Sequence, residues 1–370
     1  MKRAIRLTLL CAVAGAALAI AGPAMAGIAS AKLNIRTPPG LGATGPTTFE
    51  VSQSATDDPL AKVTIYTGLG YTANLTAASG STIGTVTAQV QAADLGGQTL
   101  PLTGAVQAAD AATTIPVAGQ TVPLSAAAAV CTGTPTHAAY WLLVLTAAGQ
   151  TLRVPAFVDA TSGPEATFAA FKIQVCVPAP DLPATDPRRA TFGAKLIDAR
   201  VTLTSVFTNP TAPGTPVWST FFTPYTPGTG AANAAGTVES RSATIVPATI
   251  SLKAKYDKKR KAAVLSGVIT IAGRPLAGLK IPIYSGTKAS KVTKSAGTTT
   301  KSNSKGIFTA VKKILKTTYF KVGGILGGGD VTAQLCAGPS LAPAGCVSGT
   351  VGEIPLFSKI IKVIVPKKRK

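Results

Sequence analysis

Histidine is nearly missing: His137 is the single one in 370 residues. Any Ser-His-Asp arrangement has one base to draw on, and no G-x-S-x-G elbow accompanies it. A zinc-type site is disfavoured on the same ground, since no C-x-x-C occurs either. Charged residues make up 14% and aromatics 5%, too few for a coiled coil or a charged helical bundle. Acids are scarcest late in the chain, where only Asp257, Asp330 and Glu353 follow residue 250. Beyond the first thirty residues there is no long apolar run. Ile360 to Val365 falls far short of the ~20 residues a membrane span needs, so no transmembrane segment is expected after the leader. Gly323 to Asp330 lacks the Lys-Ser/Thr of a phosphate-binding loop and reads as a mobile loop before a strand at Val331. No cofactor is expected.

What is present is apolar and punctuated. The hydrophobic fraction is 46%, with 37 Gly and 27 Pro, which suits a packed all-β chain. Lys2, Arg3 and Arg6 precede an apolar stretch from Leu7 to Ile20, and Ala24-Met25-Ala26 supplies small residues before Gly27. Residues 1–26 therefore read as a secretory signal peptide, and the protein is expected to be secreted or associated with the cell envelope. Cys131, Cys176, Cys336 and Cys346 then remain, an even number that reads as disulfides with three possible connectivities. Partition by domain favours Cys131–Cys176 and Cys336–Cys346.

Two β-sandwich domains in tandem are expected, 27–250 and 251–370. Strands are predicted over Lys62–Thr67, Thr82–Gln91, Tyr140–Thr146, Thr151–Val158, Thr167–Val177 and Ala194–Thr208. The Ala-rich piece Ala126 to Val130 is short and lies between Pro123 and Pro135, so 27–250 reads as β throughout. Gly-Gln-Thr recurs at 97, 119 and 149, each time before a short apolar strand, and predicts three hairpins. Leu100-Pro101-Leu102-Thr103-Gly104 matches a sortase signal. It stands long before the C-terminus, without an anchoring tail, and is read as chance.

From Ser251 onward there are 20 Lys and 3 Arg against 3 acids, whereas 27–250 carries 10 basic and 11 acidic residues. Leu265-Ser266-Gly267-Val268 leads to the turn Gly273-Arg274-Pro275-Leu276-Ala277-Gly278, a G-x-P-L-x-G, and then to Thr298 through Phe308, a T…G-x-F. This stretch resembles the Ig-like and carboxypeptidase-regulatory-like sandwich modules of secreted bacterial proteins. The resemblance implies a spacer, adhesive or accessory role, and supplies no catalytic residues. Lys305 stands where such modules carry an acid or Asn, so calcium at this turn is not implied.

Alternation along Thr136–Leu145 places His137 with Ala139, Trp141, Leu143 and Leu145 on a strand apolar on both faces, a structural position. A glycan hydrolase would need two nearby carboxylates, and the eleven acids from Glu50 to Glu239 single out no pair. Trp218, Phe222 and Tyr225 form the densest aromatic group. They suit either a glycan-stacking patch or, more economically, core packing. Lys253, Lys255, Lys258, Lys259, Lys261, Lys288, Lys291, Lys294, Lys312 and Lys313, with the Lys367–Lys370 tail, are candidate contacts to polyanions. The expected partners are anionic cell-wall or extracellular polymers, bound weakly, with no specific nucleic acid. The primary expectation is an exported non-catalytic β-sandwich protein of structural or adhesive role. The alternative is a secreted glycan hydrolase with its site on 27–250.

Overall fold

The computed structural model describes residues 27–147, 149–335 and 347–366. Residues 1–26, Cys336, Cys346 and the Lys367–Lys370 tail lie outside them, and with them the expected leader and the second cysteine pair. The class is all-β, as the composition predicts.

Short alternating segments pair in a cycle. Lys32–Arg36 joins Thr47–Ser52, then Ala194–Leu203, Thr82–Ala92, Gln98–Ala109 and Ala139–Ala147. The order continues through Gln150–Ala160, Phe171–Cys176, Leu60–Tyr66, Val217–Thr226 and Val238–Ala243. All these neighbours are antiparallel. Val347–Phe357 then lies parallel to both Val238–Ala243 and Lys32–Arg36, and the ring closes. This differs from an open two-sheet sandwich, and the physical reason is an edge: closure removes the unpaired N–H and C=O rows that open sheets leave. Side chains fill the interior. Leu33, Ile35, Val106, Val158, Leu203, Trp218 and Phe222 are at most 1% exposed there.

The closing seam is made largely by side chains. Strand 347–357 contributes one register pair to the first strand, Arg36 with Glu353. Elsewhere Ser240 Oγ accepts from the Leu33 N–H at 3.0 Å and Ser242 Oγ from the Ile35 N–H at 3.1 Å. Thr350 Oγ1 donates to the Leu33 carbonyl at 2.7 Å and lies 2.7 Å from Ser242 Oγ.

A second apolar cluster lies between two smaller sheets. Ala262–Ile271 carries Lys253–Asp257 and Ile307–Lys313 on its two sides, contributing Leu265, Phe308 and Ala310 inward. Opposite stand Pro282–Gly286, Thr318–Leu335 and Ile361–Val363, contributing Ile283, Phe320, Val322 and Val363. Thr318–Leu335 runs on beside Val347–Phe357, and the latter serves both this cluster and the ring. The glycine-rich stretch expected as a loop is thus part of a strand. Its glycines admit the neighbour's backbone: a Cβ on Gly323 would stand 2.2 Å from the Leu356 carbonyl oxygen.

Leu124–Thr132 forms an α-helix, a correction to the β-only reading of 27–250. The bounding Pro123 begins the helix rather than excluding it, and Gly133 ends it with a left-handed φ of 83°. Leu124 and Ala128, four apart, bury one face against Tyr140, Leu142 and Phe157 on the outside of the ring. Cys131 on the helix is bonded to Cys176, with Cα atoms 5.9 Å apart.

Candidate functional site

The first candidate cluster lies where four neighbouring ring strands turn their polar side outward. With Leu33 and Ile35 inside, Lys32, Asn34 and Arg36 face out. Glu50 and Ser52 stand on the next strand, Asp198 and Arg200 beyond it, and Glu353 on the far side. Arg36 Nε donates to Glu353 Oε2 at 2.6 Å, and Arg200 to Glu50 at 2.5 Å. The residues Lys32, Asn34, Glu50, Ser52, Arg200 and Glu353 line a shallow open depression. Asp198 pairs in register with Ser52, next to the Arg200–Glu50 pair. Burial pushes the Asp198 carboxyl up, and the negative Glu50 adds to that, while Arg200 opposes it. Asp198 thus holds its proton more readily, beside a glutamate bonded to an arginine. Sequence reasoning singled out neither residue.

The second cluster surrounds His137. Its Nδ1 lies 2.7 Å from Asp159 Oδ2, and its Nε2 lies 3.0 Å from Thr132 Oγ1. This is the connectivity of a hydroxyl–imidazole–carboxylate triad, but the parts are otherwise engaged. The imidazole side chain is 0% exposed, and Thr132 Oγ1 donates back to the Ala128 carbonyl at 2.9 Å. The Thr134 carbonyl also lies 3.1 Å from Nε2. The group fastens the helix exit to the strand carrying Asp159. His137 is buried, with both ring nitrogens engaged. It packs, however, with Tyr140 and Phe157, not with the Trp141 face, because the strand begins only at Ala139.

Of the two readings of the aromatic group, core packing holds for Trp218 and Phe222. Trp218 and Phe222 are both 0% exposed and belong to the ring core. Tyr225 is half-buried and donates its hydroxyl to the Val177 carbonyl at 2.6 Å. Strand alternation sends Trp218 and Phe222 inward, where the interior demands bulk.

Lys253, Lys255, Lys258, Lys259, Lys261, Lys288, Lys291, Lys294 and Lys313 are exposed, and Lys312 is half-buried. Lys253 and Lys255 alternate with Ala254 and Tyr256, which pack against the second core. Pairing also gathers residues that sequence reasoning passed over: Tyr284, Tyr319 and Phe357 with Lys321 and Lys362. Their separation along the chain hides them, because only cross-strand register makes them neighbours.

Among the described residues, no three His, Cys, Asp or Glu side chains gather as metal ligands, and no helix is long and apolar enough to cross a membrane. A scan against protein-family models and a search of curated proteins both return no match.

Proposed function

We propose that the chain is an exported, non-catalytic β protein with a structural or adhesive role at or outside the cell envelope, drawn to anionic polymers by diffuse charge. The supporting observation is the placement of the lysines between residues 253 and 313 on outward strand faces and turns. Asp257, the acid nearest the first of them, is taken up by Arg260 at 3.7 Å. Lysine is a hydrated point charge, and scattered ammonium groups attract a polyanion without fixing a particular phosphate or base. Counterion release then dominates the affinity.

Titration of the full chain against polyphosphate tests this. Affinity is expected to fall about tenfold or more between ~50 and ~200 mM salt. Replacing Lys253, Lys255, Lys258 and Lys259 by Gln is expected to flatten that dependence. Salt-independent binding, or no binding at low salt, overturns the reading.

A second reading, a glycan-directed hydrolase, is favoured by the Asp198–Glu50 pair alone. A glycosidase uses one protonated and one ionised carboxyl. The depression here is open and its carboxylates are spent on arginines, so the binding reading is preferred.

A further inference from the structure

One face in the C-terminal half combines rings with cations. In strands Pro282–Gly286, Thr318–Leu335 and Ile361–Val363, the inward residues Ile283, Phe320, Val322 and Val363 are at most 2% exposed. Alternation turns Tyr284, Tyr319, Lys321 and Lys362 to the other side. Phe357 joins them from the adjoining strand, opposite Gly323, and keeps 44% of its surface exposed. Lys321 Nζ stands 4.5 Å from the Phe357 ring centre and 5.5 Å from that of Tyr284. Those two rings are 6.3 Å apart and inclined at 55°. Lys362 Nζ stands 5.8 Å from the Tyr319 ring centre. The ion pairs among the described residues involve neither lysine.

We propose that this face is a binding site for an anionic polysaccharide whose sugars carry carboxylates. The proposal rests on the polyanion reading above and gives it a local seat. Charge complementarity sets the sign of the partner: two ammonium groups without acidic partners among the described residues call for anions. The rings set its kind. An aromatic face stacks on the C–H side of a sugar ring, and the exposed part of Phe357 offers such a face beside Lys321. Lys321, held between two rings, presents its charge from a fixed place, whereas a free surface lysine must first be ordered. A bare phosphate chain would leave the rings unused. A nucleic-acid base also stacks on a single exposed ring, so a single-stranded oligonucleotide is the competing probe.

The experiment compares three probes on the full chain at ~150 mM salt, where long-range attraction is screened: polygalacturonate, polyphosphate and single-stranded oligothymidylate. The double variant Tyr284→Leu/Phe357→Leu is expected to lose about tenfold in affinity for polygalacturonate, with polyphosphate binding unchanged. Lys321→Met is expected to weaken polygalacturonate binding to a similar degree. Thermal melting checks each variant, and Phe357→Leu alone serves if the double variant melts early, since Phe357 is exposed. Equal losses on both polymers, or none on the uronate, overturn the seat and leave the diffuse reading standing. Oligothymidylate bound as tightly as polygalacturonate, with the same dependence on the rings, overturns the sugar assignment. Absence of salt-dependent polyphosphate binding by the wild-type chain overturns the diffuse reading instead.

Discussion

A single carboxylate shows how local geometry sets a pH response. Asp57 is 6% exposed and accepts four hydrogen bonds: from Ala29 N at 3.0 Å, Ser30 N at 3.3 Å, Ser30 Oγ at 2.7 Å and Ser54 N at 3.0 Å. Burial alone would push its carboxyl up, but the four donors together outweigh it and hold it below the ordinary range. Its folded value being depressed, the ionised form stabilises the fold fully above the unfolded value of ~3.9. That contribution is lost as pH falls through the folded value. Urea midpoints of wild type and Asp57→Asn should therefore differ above about pH 4 and converge in stronger acid. A constant difference down to pH 2 would contradict this. Residues whose role depends on their own strand were legible in the sequence: Trp218 and Phe222 share a parity, and that parity is the core. Asp198 and Glu50 were not legible. Their neighbourhood depends on which strands pair and in what register, which no local pattern records.

Among elements, the strands were the most legible because alternation and turn residues mark them directly. Each Gly-Gln-Thr opens the second strand of a hairpin. Val117 pairs with Gln120 across Ala118 and Gly119, both at positive φ, and Gly149 has a φ of 77° before Gln150. The helix Leu124–Thr132 escaped because nine residues are too few for a clear period, and its apolar anchors are two small steps, Leu124 and Ala128. A helix this short draws its stability from attachments. Lys62 Nζ donates to the Cys131 carbonyl at 3.2 Å, and the disulfide ties the helix to strand 171–176 across 45 residues of chain. Loop entropy for that separation is about 4 kcal/mol. The double variant Cys131→Ser/Cys176→Ser should lower unfolding free energy by up to about that amount in denaturant titration. It should also raise amide exchange in 124–132 more than in 82–92. Uniform exchange across both segments would show that the tether does not act locally.

At the scale of the whole molecule, the all-β class was legible and the closed ring was not, because its closing strand arrives from over a hundred residues beyond the last of its other members. Val347–Phe357 belongs to the ring and, through Ile354 and Leu356, to the second core together. Calorimetry of the full chain should therefore give one cooperative unfolding transition, with calorimetric and van't Hoff enthalpies in agreement. Two resolved transitions would mean that the shared strand does not couple the halves. The same seam has a meaning in time. A chain emerging from its N-terminus presents Lys32–Arg36 and Val238–Ala243 long before the strand that lies between them exists. Until residue 357 has emerged, both must wait with open edges, and the Ser240 and Ser242 hydroxyls must wait without Thr350. Sealing of the first strand therefore waits on a partner far along the chain, Arg36 and Glu353 standing 317 residues apart.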